Sequence, residues 1–381
     1  MSMRILLTTP TYKPFNSGLG NAVAQQAAQL MSFGHDLVIA TYGEKRGTTY
    51  ENGIRIERFN VCGADSWLQP IRGDVGSYID FLRLSSWDVL LFNAWQNWAT
   101  DLGLRHMDEI PGRKFVYSHC LSTNVFFSKQ PLRSLLRYLA WRPYTWGLPA
   151  LMKRLDGVLF LAGSGTDTRF DDLRFAQRCG AIIRIVPNSL SLSAVLSLGK
   201  RVNPLRARDR VITVGSYNWQ KGFDFVLRAY AKSQARNLYP LHLYGQEHSR
   251  FTNTLRSLVD ELGLSTESVV FHEGVTGDEL IAEYERAILI LSGSHTECQP
   301  LVLLDASATG TPFIARATGC ISNMPGGLGV HSWQEMAVKI DELISSDSKW
   351  HDLSQAGRQA AMDIYHPDRT TILLLKALSI L

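Results

Sequence analysis

Short apolar runs alternate with amphipathic stretches along most of the chain. Between the first two runs, Val23, Ala27, Leu30 and Met31 recur at the spacing of one helix face, and Gly34 supplies a stop. This strand, helix and strand make one β-α-β unit, and the alternation continues beyond it. The first half of the chain predicts buried parallel strands at residues 4–10, 36–41, 88–93, 114–119, 157–163 and 183–188.

The alternation lapses at residues 189–210, a stretch rich in Ser and Arg that predicts a linker. It then resumes, which predicts an α/β protein with two αβα domains, over residues 1–195 and 196–364. Ligands of such sheets bind beyond the carboxyl ends of the strands, so we expect the active site in a cleft between the domains. In the second domain, the same pattern predicts strands at 210–215, 241–245, 269–274, 287–293 and 312–316, and helices at 222–233, about 250–263, 277–286 and 300–309.

The composition fits a folded protein of this size. Of 381 residues, 45% are hydrophobic, which is enough for two cores and too many for a disordered chain. No apolar run approaches the ~18 residues of a spanning helix, and the first run is too short for a signal peptide. The five cysteines are odd in number, are scattered and form no CxxC pair, which argues against a disulfide framework and against a structural zinc site. These features predict a cytoplasmic location.

The net charge of +4 is unevenly distributed. No Asp or Glu occurs from Ile110 to Leu155, and removing the eight positive charges of this segment leaves −4 for the rest of the chain. One basic segment therefore lies on an otherwise mildly acidic protein. Its cations are Arg113, Lys114, Lys129, Arg133, Arg137, Arg142, Lys153 and Arg154.

Residues 127–154 combine this charge with one apolar helix face made by four leucines. Trp141 and Trp146 add amphipathic rings that suit a headgroup layer. The combination predicts reversible binding to an anionic membrane surface. Two other interpretations stay open, namely a core-packed helix with solvated arginines and a basic lid over an anionic soluble acceptor. The residues concerned are Leu132, Leu135, Leu136 and Leu139 with Arg133, Arg137 and Arg142.

Two loops after predicted strands have features of anion sites. Gly18 and Gly20 precede a helix, where backbone N–H groups meet anions, although a plain tight turn fits as well. The segment from Gly18 to Val23 does not match the dinucleotide-binding fingerprint G-x-G-x-x-G, because Val23 stands where the third glycine belongs. Lys221 and Gly222 lie at the start of another helix, where a cation is unfavourable unless a diphosphate is bound. A solvated surface lysine is the alternative.

Two carboxylates, Glu297 and Asp305, lie eight positions apart after the predicted strand 287–293. A pair of carboxylates suits the vicinal hydroxyls of a sugar or ribose, because ionised carboxylates accept the hydrogen bonds that diols donate. The chain around Gln299, Pro300, Leu301 and Val302 opens a helix whose first N–H groups suit a phosphate. The alternative is a loop carboxylate and a helix-satisfied aspartate without a ligand.

These motifs resemble those of retaining glycosyltransferases of family 4, which have the GT-B fold of two facing Rossmann-like domains. The family's two acids separated by seven residues appear as Glu297-CQPLVLL-Asp305, followed by ASATGTP. The resemblance covers nearly the whole chain and is strongest over 210–320. Other matching segments are Lys221-Gly222, Val186-Pro187-Asn188-Ser189, Gly18-Leu19-Gly20 and Gly34-His35-Asp36-Leu37.

The resemblance implies a role for each matching residue. Glu297 would contact the donor sugar, Asp305 the ribose diol, and Lys221 the diphosphate. His119 would lie near the transferred sugar as an active-site residue. Ser216 stands where family members usually have a second diphosphate-binding arginine, and Asp305 is shorter than the family's glutamate. The base would meet the backbone around Gly274 and Val275.

The resemblance therefore implies a hexosyltransferase-type enzyme that moves a sugar from a nucleoside-diphosphate sugar to a glycan or lipid-linked acceptor, with retention of configuration. Polysaccharide, lipopolysaccharide or glycolipid biosynthesis is the expected setting, at the inner membrane face. It further implies that residues 365–381 return to the first domain. No metal, other cofactor or nucleic acid is expected. Two alternatives stay open: a non-catalytic sugar-binding or partner subunit, and a GT-B nucleotide-sugar epimerase.

Overall fold

The computed structural model describes residues 2–15, 17–121, 123–127, 130–165 and 167–381. Its contacts divide the chain into an N-terminal unit, Met1–Asn188 with Pro367–Leu381, and a C-terminal unit, Ser189–His366. The predicted boundary near residue 195 falls inside a helix of the C-terminal unit.

The described residues form both strands and helices throughout the chain. The strands are β1 (Arg4–Thr8), β2 (Asp36–Tyr42), β3 (Gly47–Glu51), β4 (Ile54–Phe59), β5 (Val61–Cys62), β6 (Arg72–Gly73), β7 (Val89–Asn93), β8 (Arg113–Ser118), β9 (Gly157–Phe160), β10 (Ile183–Ile185), β11 (Arg210–Val214), β12 (Leu241–Gly245), β13 (Val269–Glu273), β14 (Ala287–Ser292), β15 (Phe313–Arg316) and β16 (Gly327–Val330). The helices are α1 (Gly18–Ser32), α2 (Val75–Leu84), α3 (Trp98–Arg105), α4 (Pro131–Ala140), α5 (Arg142–Met152), α6 (Asp171–Cys179), α7 (Leu192–Leu198), α8 (Phe223–Lys232), α9 (Arg250–Glu261), α10 (Gly277–Arg286), α11 (Leu301–Ala308), α12 (Trp333–Ile344), α13 (Asp347–Asp363) and α14 (Pro367–Ala377).

The N-terminal unit contains an eight-stranded sheet in the order β10-β9-β8-β7-β1-β2-β4-β3. All neighbouring strands are parallel except β3, which runs antiparallel to β4. The strand order reverses between β1 and β7, and in such sheets ligands bind at this reversal. The C-terminal α14 belongs to this unit, where Gln29 of α1 donates a hydrogen bond to Thr370 of α14 over 2.7 Å.

The C-terminal unit contains a six-stranded, all-parallel sheet in the order β13-β12-β11-β14-β15-β16. Its strand order reverses between β11 and β14. Strand β14 is a nearly continuous run of buried aliphatic side chains, and the middle of β11 is buried as well, as expected for a sheet covered on both faces. Helices α8 and α12 pack their apolar faces on this sheet. The loops after β11 and β14 therefore start from a rigid base.

The predicted α/β class with parallel sheets is confirmed, and every predicted strand is present. The pattern did not predict the β3–β4 hairpin. Its turn, Asn52-Gly53, is a strong hairpin signal, because a two-residue turn of this kind requires positive φ at both residues. The structure shows φ values of 49° and 82° there. The pattern also missed β5, β6 and β16, which are short or rich in glycine. The predicted linker at 189–210 contains helix α7, which Ser191 caps. Its serine-rich sequence shows no clear helical pattern.

Arg208, also in the predicted linker, is a structural residue of the C-terminal unit. Its side chain is buried, and burial lowers its pKa to about 10. The guanidinium stacks on Trp350 at 5.0 Å. It ties the start of β14 to the end of α11, and thereby fixes the helix that carries Asp305. Its hydrogen-bond acceptors are carbonyl oxygens of Asn203, Tyr284, Ala287, Thr309 and Gly310, and the Thr311 hydroxyl.

Candidate active site

The loops after β11 and β14 touch through two glycines where the strand order reverses. A Cβ atom at Gly222 would lie 1.9 Å from the carbonyl oxygen of Gly293, and one at Gly293 would lie 2.1 Å from that of Gly222. Gly222 also has a φ of +61°, which disfavours other residues. The close approach therefore depends on glycine at both positions, and it aligns the residues that follow each strand.

This approach brings Lys221 against Glu297. Lys221 Nζ lies 2.7 Å from Glu297 Oε1, and Ser294 Oγ donates to the same oxygen over 2.8 Å. The His295 amide donates to the Gln220 carbonyl over 2.8 Å and joins the two loops. The structure thus brings together two residues that the sequence indicated separately. The lysine side chain is 37% exposed and the glutamate 16%, so the pair remains open to a ligand.

The turn before Lys221 is held by a side-chain cap. Asn218 Oδ1 accepts hydrogen bonds from the amides of Gln220 (3.0 Å) and Lys221 (3.3 Å). The sequence did not single out Asn218, although Asn is a preferred cap residue. Ser216 lies in the same loop with its side chain exposed. The loop therefore presents one cation, Lys221, where the family pattern has two.

Two helices begin beside the Lys221–Glu297 pair. Helix α8 starts after Gly222 and α11 after Pro300, and no side chain of the described residues caps either start. Leu301 and Val302, in the first turn of α11, are half-buried, and Gln299 is buried just before it. Uncapped N–H groups and the helix dipole both favour an anion. The arrangement is chemically suited to a phosphorylated ligand.

Asp305 lies in α11, and its carboxylate is hydrogen-bonded to another part of the same unit. Its Oδ1 accepts a hydrogen bond from the Ser191 amide over 3.0 Å, at the start of α7. Burial raises the carboxyl pKa to about 6, and the hydrogen bonds from Ser191 oppose this shift. Among the described residues, the hydrogen bond of Asp305 therefore goes to α7 and not to Lys221. Its contact with a ribose stays a prediction.

Gly274 and Val275 follow β13, two strands from β11 at the same edge of the sheet. Gly274 has a φ of +72°, and its amide donates to the Gly245 carbonyl over 3.0 Å. Gly274 is exposed and Val275 is half-buried. Their predicted contact with a base stays a prediction.

In the N-terminal unit, the glycine loop is the first turn of α1. The helix begins at Gly18, and Ser17 Oγ accepts a hydrogen bond from the Gly20 amide over 3.0 Å. The predicted helix was placed after the glycines, so the structure starts it earlier. Ser17 is a preferred cap residue that the sequence interpretation passed over. The Gly20 amide therefore already has a partner within the protein.

His119 lies just after β8, among residues with unusual backbone conformations. Ala94, Gln96 and Cys120 have φ values of 65°, 63° and 68°, although none is glycine. Such conformations persist only where surrounding structure holds them, and they cluster at functional sites. Tyr144 contributes, because its hydroxyl accepts from the Gln96 amide over 3.1 Å. This clustering had no signal in the sequence.

Burial and the field of Arg169 lower the pKa of His119 to about 4, so its imidazole is neutral near pH 7. Its Nε2 lies 3.4 Å from Asn93 Oδ1. Asp172 of α6 accepts hydrogen bonds from Trp95 and from Ser118, the residue before His119, and burial raises the Asp172 pKa to about 6. A neutral imidazole can hydrogen-bond a sugar hydroxyl but supplies no positive charge.

The basic segment forms two helices, α4 and α5. The leucine face of α4 is exposed, with side-chain exposures of 76% for Leu132 and 55% for Leu136. Trp146 is 71% exposed, and Arg142 stacks over it and over Tyr138. The exposed apolar face is the α4 surface, comprising Leu132, Leu135, Leu136, Leu139 and Trp146 with Arg133 and Arg142.

The structure corrects one residue of the predicted surface. Trp141 is 5% exposed and packs with Ala64, Ala140 and Tyr144 in a small core, because it joins α4 to α5 and faces inward. Arg137 is half-buried, donates to the Val125 carbonyl and stacks on Phe127. Arg133 is exposed. Lys129 lies outside the described residues.

No helix in the described part of the chain is long and apolar enough to cross a membrane. No group of three or more His, Cys, Asp or Glu side chains there could hold a metal ion.

Comparison with known proteins gives a family match in the C-terminal unit. Residues 200–360 match the family model described as glycosyl transferases group 1. An uncharacterized glycosyltransferase of Methanocaldococcus jannaschii is 21% identical over 386 residues, covering 95% of this chain and 94% of that protein. A D-inositol 3-phosphate glycosyltransferase of Corynebacterium aurimucosum is 30% identical over 158 residues, which span only 38% of this chain and 37% of that protein.

Solved structures match over the whole chain. Sucrose-phosphate synthase from Thermosynechococcus elongatus has a TM-score of 0.72 at 17% identity and covers 98% of each chain. Anabaena HepE in complex with UDP-glucose has a TM-score of 0.68 at 17% identity and covers 100% of each chain. The chain therefore has the predicted GT-B fold, and its match to glycosyl transferases group 1 supports a glycosyltransferase function.

Proposed function

We propose that this protein is a retaining glycosyltransferase of family 4 that uses a nucleoside-diphosphate sugar. The observation that carries the proposal is the Lys221–Glu297 pair, 2.7 Å apart, held where the strand order of the C-terminal sheet reverses. Binding of UDP-glucose by Anabaena HepE supports a nucleotide-sugar donor here. Donors with other bases fit the described features equally, because these features address the diphosphate and the sugar.

Each residue of the pair has a distinct chemical task. The bond from the anomeric carbon to the diphosphate breaks, and the diphosphate leaves with the electron pair. Lys221 and the N-termini of α8 and α11 would stabilise its charge, which preorganised donors do most effectively. Glu297 would accept hydrogen bonds from the donor sugar and orient it. The acceptor oxygen would then bond to the same face of the anomeric carbon and pass its proton to the departing diphosphate oxygen, which retains the configuration.

Two further residues complete the proposed site. Asp305 would accept from the ribose hydroxyls, since a carboxylate held at the start of α7 still has lone pairs to offer. His119, neutral near pH 7, would hydrogen-bond the transferred sugar. Lys221 and the helix N-termini would supply the stabilisation of the leaving diphosphate, so we expect transfer without an obligatory metal ion.

A screen of nucleotide-sugar donors against glycan and glycolipid acceptors tests the proposal, with product detection by mass spectrometry. In Lys221→Ala and Glu297→Gln, we expect transfer to fall about ten- to a hundredfold, because each removes a charged contact of about 1.5–3 kcal/mol from a shared transition state. Lys232→Ala, an exposed lysine at the other end of α8, is the matched control and should leave transfer unchanged.

The outcomes separate the alternatives. Donor-sugar interconversion without an acceptor would identify an epimerase, and donor binding without turnover would identify a non-catalytic subunit. Normal transfer by both site variants would show that the site is elsewhere.

The acceptor is proposed to be a glycan or a lipid-linked sugar, used in polysaccharide, lipopolysaccharide or glycolipid biosynthesis at the inner face of a membrane. The α4 surface supports this part of the proposal, because exposed leucines, an exposed tryptophan and arginines occur together. Such a surface inserts its apolar side chains between headgroups while cations meet anionic lipids. The protein would thus be cytoplasmic and bind the membrane reversibly.

A further inference from the structure

A second cation lies at the site, on the neighbouring strand. Arg316 is the last residue of β15, which pairs with β14 in the C-terminal sheet. Its Nη1 donates to His295 Nδ1 over 2.6 Å, and its guanidinium lies 5.4 Å from the centre of the Phe225 ring. His295 belongs to the loop that carries Glu297, and Phe225 belongs to the first turns of α8. Arg316 therefore contacts both elements that frame the Lys221–Glu297 pair.

The hydrogen-bonding capacity of Arg316 is largely unused. A guanidinium has five N–H groups, and within the described residues that of Arg316 has one hydrogen-bond acceptor, His295. Arg208, by contrast, directs its guanidinium to several carbonyl oxygens of the same unit. The N–H groups of Arg208 therefore have acceptors within the protein, and its role is structural. Arg316, also partly buried, keeps most of its donors for another partner.

The charge of Arg316 is also unmatched. Lys221 is paired with Glu297 at 2.7 Å, so these two residues together contribute no net charge. Among the described residues, no carboxylate lies within ion-pair distance of Arg316, and Asp224 acts on it only through a longer-range field. A diphosphate brings at least two negative charges to this site. Burying it beside a neutral pair would be costly without a further cation.

Two threonines of the described chain, one in the loop that carries Glu297 and one just after β15, also have unpaired hydroxyl groups. Thr318 follows Arg316 by two residues, and Thr296 precedes Glu297. Both hydroxyl oxygens are buried without a hydrogen-bond partner among the described residues. Buried polar groups are normally paired, so exceptions point to a partner that is not part of the chain.

We propose that Arg316 binds the diphosphate of the donor and supplies the positive charge that Lys221, paired with Glu297, does not supply alone. The planar fork of arginine matches phosphate oxygens in a two-point contact. His295 and Phe225 hold the side chain in place. This inference rests on the proposed function, because it assigns a further residue to the same donor site.

Isothermal titration calorimetry with UDP, GDP, ADP, CDP and dTDP tests the inference, with the matching nucleosides as uncharged probes. For the diphosphate that the parent protein binds, Arg316→Gln should weaken binding about ten- to a hundredfold, the usual effect of losing a charged hydrogen bond. Nucleoside binding should be unchanged. Arg316→Lys, which keeps the charge, should lie between the two and should fold even if the glutamine variant does not.

Arg228→Gln is the matched control, because Arg228 is an exposed cation of α8 without a described contact to the site. It should change the dissociation constant less than twofold. Equal diphosphate binding by the parent and Arg316→Gln would overturn the inference and leave the proposed function standing. Equal weakening of nucleoside and diphosphate would also overturn it, because that result indicates a structural role. A parent that binds none of the five diphosphates would overturn the proposed function as well.

Discussion

In the C-terminal unit, the loops after β11 and β14 approach each other through Gly222 and Gly293, whereas in the N-terminal unit the loops after β7 and β8 turn at residues that are not glycine. Ala94, Gln96 and Cys120 hold φ values of 63° to 68° there. The first arrangement follows from the absence of side chains, which permits backbone contact. The second must be imposed by surrounding groups such as Tyr144.

The two regions differ in their charged groups as well. The C-terminal loops present Lys221, Glu297 and Arg316, which remain partly exposed and charged. The N-terminal loops contain His119, which is neutral near pH 7, and the buried Asp172 of α6 bonds to Ser118 beside it in the chain. A charged, open arrangement suits an anionic diphosphate, and a neutral, hydrogen-bonding one suits the hydroxyl groups of a sugar. In the proposed reaction, the charged loops would hold the diphosphate of the donor, and His119 would hydrogen-bond the transferred sugar.

The strongest test of this comparison is Gly293→Ala. The new Cβ atom would lie 2.1 Å from the Gly222 carbonyl oxygen, so the two loops must separate. We expect the free energy of unfolding to fall by about 3 kcal/mol, and transfer to fall with it because the Lys221–Glu297 pair moves. Chemical denaturation and activity assays measure the two effects.

Gly199→Ala is the control for this change. Its Cβ atom would make only an ordinary contact, at 3.7 Å from the Leu196 carbonyl oxygen, and its φ is −75°. If Gly293→Ala were as stable and active as Gly199→Ala, the backbone contact would not be what holds the site.

The N-terminal site is tested by pH. His119 has a pKa of about 4 in the folded protein and about 6.5 when unfolded, so folding favours its neutral form. Its stabilising contribution is complete above pH 6.5 and is lost as the pH falls towards 4. Between pH 7.5 and 4.5, the parent should therefore lose on the order of 2–3 kcal/mol more unfolding free energy than His119→Gln.

Urea denaturation at each pH gives the difference directly. Asp172 and other shifted carboxyl groups are present in both proteins, so their contributions largely cancel. Identical pH dependence for the two proteins would show that His119 titrates normally and that the comparison with the charged C-terminal site does not hold.

The smallest expected effect concerns the α4 surface. The double variant Arg133→Glu/Arg142→Glu should bind anionic vesicles at least about thirtyfold more weakly than the parent, since the two lost cations together contribute about 2 kcal/mol. Binding of the parent should also fall at high salt. Vesicle sedimentation with phosphatidylglycerol and with neutral phosphatidylcholine measures both effects.

Arg206→Glu is the matched control, because Arg206 is an exposed arginine of the C-terminal unit. Equal recovery of parent and double variant on both kinds of vesicle would remove the membrane from the proposal and leave a basic surface for a soluble anionic acceptor. Replacing Trp141 would not test the surface, because Trp141 is part of a core.

Sequence alone determined the parts of this protein whose physical cause is local. Buried strands such as β7 and β14 could be predicted because nearly every side chain in them is apolar. Lys221 could be singled out because a cation beside a helix start is unfavourable. Gly222 marks a turn, and Glu297 is a carboxylate directly after a buried strand, so each of the three has a local signal. Ser17 and Asn218 are preferred helix-cap residues, and Asn52-Gly53 is a typical hairpin turn, so these features also had local causes in the sequence.

Tertiary structure decided the features whose cause lies far along the chain. Arg208 looked like part of a linker, and only the fold places it among carbonyl groups that come from residues 203 to 310. Asp305 meets Ser191, 114 positions away, and Trp141 turns inward because Ala64 and Tyr144 offer a core. The φ values of Ala94, Gln96 and Cys120 are set by neighbours, not by their own side chains. Local chemistry can be read from a sequence, but partners brought together by folding depend on the path of the whole backbone.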